Sequence, residues 1–173
     1  MTIHPADVCQ RVSYYLTPKQ GAFMEKTFAM VKPNAVQAGL VGRIIARYES
    51  ARLSVVAIRF KKMTQADAEG FYAEHVGKPF FPELAKFMTS GPSVQLVLAG
   101  EDAIAKVRAL NGATNPAKAE PGTIRYDWAT SMTENAVHSS DGPESAAREI
   151  SFWFKPEEIF EYAAQDQRAK SVL

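Results

Sequence analysis

Thr27-Phe28-Ala29-Met30-Val31-Lys32-Pro33 is the stretch from which the fold can be read outward. It is β-branched and apolar until Lys32 and halts at a proline, as expected of a buried strand with a sharp stop. Leu40, Val41, Ile44, Ile45 and Tyr48 then recur at helical spacing. Leu53 to Lys62 alternates, which predicts a strand burying Val56, Ile58 and Phe60 and turning Arg59 and Lys61 to the other face. Thr64 with Asp67 has the form of a capping box, with Ala68, Phe71, Tyr72 and His75 on one helical face beyond it. Pro82 can open a further helix carrying Leu84, Phe87 and Met88. Ser93 to Ala99 reads as a third strand, followed by a helix with Ile104, Val107 and Leu110 inward. Asn111 to Asp127 is a long stretch rich in Gly, Pro, Thr and Asn with no period, and such loops are usually functional or form interfaces. A short strand around Ala136 to His138 precedes a helix capped by Asp141, with Pro143 in its first turn. Four strands with helices returning over one face predict an α/β (α+β) sandwich of the ferredoxin-like kind, a four-stranded antiparallel sheet in βαββαβ order. Residues 1–23 lack a sustained period and read as an extension with one short helix around Asp7 to Leu16. Residues 24–160 read as the domain and 161–173 as a tail.

Composition narrows the function classes. The 173 residues are 46% hydrophobic and 23% charged, with a formal net charge of +1, so bulk electrostatics do not point to nucleic acid or a membrane. One cysteine, Cys9, excludes an internal disulfide. No apolar run is long enough to span a bilayer and the start lacks a good secretory pattern. A soluble cytoplasmic protein is the expectation, with an organelle open if the extension is a targeting segment. There is no Gly-rich phosphate loop ending in Lys-Ser/Thr and no dinucleotide fingerprint. If phosphates bind here, side chains must hold them; Lys32 at a strand end, Arg108 near a helix end, and Thr114 and Arg125 in the long loop are the candidates, or else solvated surface residues. Metal-ligand spacing is absent, and no Gly-x-Ser-x-Gly elbow supports a hydrolase.

Of three histidines, His4 lies in the extension and His75 sits at a helix end, where a cation suits the dipole. His138, in Asn135-Ala136-Val137-His138-Ser139-Ser140-Asp141, has small polar neighbours and a carboxylate, Glu149, on the next helix. It is placed to be a nucleophile or a general base, or else a hydrogen-bonded loop residue. Tyr72, Phe80 and Phe81, with Leu84 close by, offer either core packing or a platform for a base.

Taken in order, Val31-Lys32-Pro33-Asn34, Phe71-Tyr72, Lys78-Pro79-Phe80-Phe81, Ser90-Gly91-Pro92, Gly112-Ala113-Thr114-Asn115-Pro116, Pro121-Gly122-Thr123-Ile124-Arg125, Asn135-Ala136-Val137-His138 and Glu144-Ser145-Ala146-x-Arg148-Glu149-Ile150 resemble the nucleoside diphosphate kinase family over roughly Glu25 to Phe160. The resemblance implies ping-pong transfer of the γ-phosphate of a nucleoside triphosphate such as ATP to a nucleoside diphosphate, through a phosphohistidine at His138. It implies that Lys32, Arg108, Thr114 and Arg125 hold the phosphates, and that Lys32 and Asn135 reach the ribose side. Phe80 would stack on the base with Leu84 nearby, Tyr72 and Glu149 would orient the histidine, and Ser140 would lie near the transferred group. Magnesium would arrive on the nucleotide phosphates, with no metal ligand from the chain. A homohexamer or homotetramer is implied, without a specific nucleic-acid partner.

The chain departs from the family pattern at Ser139, where the family usually has Gly. A requirement for positive φ there would add strain on the order of a kcal/mol. That departure, with the unusual ends, supports an alternative: a catalytically weak, nucleotide-binding regulatory homologue. Gly142-Pro143 should favour the start of the following helix. A ferredoxin-like nucleic-acid-binding module is a third reading, against which the near-zero net charge argues.

Overall fold

The computed structural model describes residues 24–162. The short helix expected around Asp7 to Leu16, and the tail beyond residue 162, lie outside the described residues. Four strands, β1 (Glu25–Val31), β2 (Ser54–Lys62), β3 (Pro92–Gly100) and β4 (Val137–Ser139), form one antiparallel sheet in the order β2-β3-β1-β4. With its helices this is the ferredoxin-like α+β fold.

The helices cover both faces, not one. Phe28, Ala29, Met30 and Val31 of β1 are all fully buried, and the pleat sends alternate side chains to opposite sides. Phe28 and Met30 pack with Phe71, Met88 and Trp153, from α3 (Gln65–Phe71), α4 (Phe81–Met88) and α7 (Pro143–Trp153). Ala29 and Val31 pack with Ala35, Ile44, Tyr48 and Val107, from α1 (Pro33–Gln37), α2 (Val41–Ser50) and α5 (Ala103–Asn111). An unbroken apolar run is what two-sided burial requires.

Strand β2 departs from its expected alternation. A bulge between Val55 and Ala57 inserts one residue, which moves every later side chain to the opposite face. Val56 is buried, but Ile58 and Phe60 are 57% and 64% exposed on this sheet edge. Arg59 and Lys61 instead lie over the rings of Phe154 and Trp153, at 5.1 and 5.4 Å, so their stems cover apolar surface while their charges stay accessible.

The Thr64–Asp67 capping box forms as expected. Helix α7 is capped differently from expectation. Gly142 is the N-cap, and the Ser145 hydroxyl accepts from the backbone N–H groups of Asp141 and Gly142. The long stretch after Asn111 is not structureless, since it contains a 3-10 turn at Pro116–Lys118 and α6 (Ile124–Trp128). Gly112 makes the turn out of α5 at φ +79°, and a β-carbon there would collide with the Thr123 side chain. That close approach sets the end of α5 against the start of α6, whose Arg125 donates to the Val137 carbonyl of β4, itself paired with the end of β1.

Candidate active site

His138 lies on the short edge strand β4, opposite Met30 of β1. Its ring meets Phe71 edge-on at 5.4 Å and Tyr72 edge-on at 6.2 Å, with Phe28 tilted at 6.0 Å. This cage leaves few ring orientations. His138 Nε2 is 3.0 Å from Glu149 Oε2, and the Ser140 hydroxyl donates to the same oxygen at 2.7 Å. A carboxylate oxygen that takes both bonds is an acceptor, so Nε2 is the donor, and in the neutral ring the lone pair is on Nδ1. Glu149 is held in place by α7 and is buried.

The strained backbone is not at Ser139, which is absent from the positive-φ residues. Ala136, two residues before the histidine, has φ 68°, a conformation that costs about 1–2 kcal/mol for a residue with a β-carbon. Its carbonyl accepts from the Lys32 N–H at 2.9 Å, which ties β4 to the end of β1.

Three cations gather beside the histidine. Lys32 is buried, and its ammonium donates to Asn135 Oδ1 at 2.6 Å. Burial, with Arg125 nearby, lowers the Lys32 pKa from 10.5 to about 7. Arg125 is buried too and donates to the carbonyls of Gly112 at 2.7 Å and Val137 at 3.0 Å. Burial also lowers its pKa. Arg108 stands exposed in the last turn of α5. Among the described residues none of the three pairs with a carboxylate. Asn135 closes the group by donating to the Thr114 carbonyl at 3.2 Å.

Lys32, Arg108, Thr114, Arg125, Asn135, His138 and Glu149 line one cavity of about 1080 Å³. Ser140 and Tyr72 stand behind this lining and touch it through Glu149 and the His138 ring. The Tyr72 hydroxyl is buried without a hydrogen-bond partner among the described residues, and burial followed by the Glu149 charge raises its pKa, so it remains a neutral donor. Phe80 and Leu84 do not line the cavity. Phe80 is 51% exposed and meets His75 edge-on at 5.5 Å. His75 itself belongs to the cavity wall, in a 3-10 turn at Ala73–His75 and stacked on Tyr72. Its sequence context marks it only as a helix-end residue. Asn111 and Ala136 were missed as well. Asn111 looked like the start of a loop, and no local pattern marks an alanine for positive φ.

The family model described as nucleoside diphosphate kinase matches residues 25–159. A nucleoside diphosphate kinase of Methanosarcina mazei is 54% identical over 144 residues, covering 83% of this chain and 97% of the relative. That of Thiobacillus denitrificans is 53% identical over 137 residues, covering 79% and 96%. Among solved structures, the Aquifex aeolicus nucleoside diphosphate kinase superposes with a TM-score of 0.76 at 41% identity, over 79% of this chain and 99% of that one. A match of this extent shows that the chain belongs to the nucleoside diphosphate kinase family and is an enzyme of that kind.

Proposed function

We propose that the chain transfers the γ-phosphate of a nucleoside triphosphate to a nucleoside diphosphate in two half-reactions through His138. The observation that carries this reading is that His138, bonded to Glu149 through Nε2, shares one cavity with three cations that lack carboxylate partners among the described residues. Buried cations without a counter-charge are costly, and a polyphosphate would supply that charge. In the first half-reaction Nδ1 attacks the γ-phosphorus. A P–N bond forms, the P–O bond to the β-phosphate breaks, and its electron pair leaves on the diphosphate. In the second, a terminal oxygen of the acceptor diphosphate attacks the same phosphorus, and the P–N electron pair returns to Nδ1. Glu149, hydrogen-bonded to Nε2, offsets positive charge on the phosphorylated imidazole, while Ser140 and Tyr72 hold Glu149 and the ring in place. Lys32, Arg108, Arg125 and Thr114 neutralise and position the phosphates, which is most of what phosphoryl transfer requires. Asn135 fixes Lys32 and the Thr114 loop, and with Lys32 faces the ribose side.

Magnesium enters this reading on the nucleotide, where it screens phosphate charge. The lining suits phosphates that carry such an ion, since Lys32, Arg108, Arg125 and Thr114 offer cationic and hydroxyl groups to phosphate oxygens. No described helix is long and apolar enough to cross a membrane, and a cytoplasmic location belongs to the same proposal. So does self-association as a tetramer or hexamer, for which the exposed Ile58 and Phe60 on the β2 edge are suited. The weak-homologue alternative rests on Ser139 and the unusual ends; Ser139 has no positive φ, and most of the ends lies outside the described residues.

The deciding experiment is single turnover. Labelled ATP with magnesium is expected to leave an acid-labile label on the protein, which added GDP removes. Absence of the label, or a label that GDP does not discharge, refutes the two-step reading.

Phe80 is proposed as the base platform at the cavity mouth. Stacking on an aromatic is worth about 1–3 kcal/mol per base and tolerates every base. Phe80→Ala is therefore expected to raise KM by roughly 5- to 150-fold for purine and pyrimidine nucleotides alike, with little change in kcat. Steady-state kinetics with four diphosphates measure this, and an effect confined to one base would contradict it.

A further inference from the structure

Ser139, the residue after His138, takes part in a hydrogen-bonded chain that the mechanism above does not use. Strand pairing sets Ser139 opposite Ala29 and His138 opposite Met30, so their side chains leave opposite faces of the sheet. Ser139 leaves on the face covered by α5. There Asn111, fully buried, donates from Nδ2 to Ser139 Oγ at 3.0 Å. The same Asn111 accepts at Oδ1 from the Tyr48 hydroxyl at 2.7 Å. Tyr48 is fully buried, and burial raises its pKa, so it stays a neutral donor that fixes which way the Asn111 amide points. Ser139 Oγ is thus held as an acceptor, and its own proton has no acceptor among the described residues.

That proton has one accessible destination. Ser139 lines the same cavity as Arg108, Gly112, Thr114 and Arg125. Because β4 is a three-residue edge strand, the cavity reaches both of its faces at this point, with His138 on one and Ser139 on the other. A hydroxyl already polarised by an amide donor is a stronger donor in turn.

We propose that Ser139 is a further phosphate-contacting residue of this enzyme, its hydroxyl aimed by Asn111 and Tyr48 at the polyphosphate chain of the bound nucleotide. The inference rests on the reading that this cavity holds nucleotide phosphates. A hydrogen bond to a charged group is worth about tenfold in binding or somewhat more. Asn111 acts only through Ser139 and is a positioning residue.

The test uses equilibrium binding, which does not depend on turnover. A non-hydrolysable ATP analogue with magnesium, and AMP by competition, are titrated into wild type, Ser139→Ala, Asn111→Leu and the double variant, with Tm measured for each. Ser139→Ala is expected to weaken the analogue about tenfold and leave AMP unchanged, since AMP lacks the polyphosphate. Asn111→Leu should reproduce part of that loss, and the double variant should bind no worse than Ser139→Ala alone. Unchanged analogue binding by Ser139→Ala, or equal loss for analogue and AMP, overturns the proposal. Additive losses in the double variant overturn the part given to Asn111. If wild type takes no label from ATP yet Ser139→Ala still loses analogue affinity selectively, phosphohistidine chemistry fails and this inference stands.

Discussion

Replacing His138 by alanine is expected to lower kcat by about 10⁴-fold or more and to abolish the acid-labile label, because removing a nucleophile removes the covalent route itself. Nucleotide affinity should change little, by less than about threefold, since Lys32, Arg108, Thr114 and Arg125 remain on the cavity wall. The two results must be seen together. Lost activity with lost binding would indicate a collapsed site, not a missing phosphate carrier. A fold effect is expected too, and it is modest. The alanine leaves the Ser140 hydroxyl on Glu149 Oε2 but removes the imidazole donor at 3.0 Å, and an under-satisfied buried carboxylate costs about 1–3 kcal/mol. Urea unfolding of the variant measures that term, and a label retained by a folded His138→Ala protein would show that another residue carries the phosphate.

The reach of the sequence is clearest where residues act locally. The Thr64–Asp67 box, the proline starts of α4 and α7 and the order of the strands follow from short-range rules, and all of them form. Seven candidate residues from Lys32 to Glu149 line one cavity because they sit at element ends that the ferredoxin-like fold brings together. What was illegible depends on one inserted residue or on distant partners. The Val55–Ala57 bulge inverts the faces of β2, and an alternating pattern gives no sign of it until the partner strand is known. The unbroken run in β1 could have suggested helices on both faces, but a short apolar run is equally compatible with other burial. The Asn111–Ser139 contact spans 28 residues, and Tyr48–Asn111 spans 63. No periodicity connects such positions. Phe80 illustrates a third limit: the helical face expected from Ala68 to His75 breaks into a 3-10 turn at Ala73–His75, and Phe80 meets His75 edge-on from outside the cavity lining.

Lys32→Met is expected to separate function from stability, with opposite signs. Loss of a preorganised cation at the phosphates should lower kcat/KM by about 10²- to 10³-fold. Stability should move the other way. The Lys32 pKa falls from 10.5 to about 7 on folding, first through burial and then through Arg125. Between those values the unfolded chain holds a proton that the folded chain has released, so stability rises with pH across that window. Below about pH 7 both states are protonated and the full cost of burying the cation is present. The ceiling on that cost is about 5 kcal/mol. Losing the ammonium's bond to Asn135 offsets about 1.5–3 kcal/mol of it, so the variant should be about 2 kcal/mol more stable than wild type at pH 6, with the advantage shrinking as pH rises toward 10. Binding provides a second readout. At pH 8 the free enzyme holds Lys32 largely neutral, and a polyphosphate beside it restores the cation, so nucleotide binding should take up a large fraction of one proton. Calorimetric titrations in two buffers of different ionisation enthalpy measure that uptake directly. It should be nearly absent in Lys32→Met, and equal uptake by the two proteins would remove Lys32 as the group that titrates.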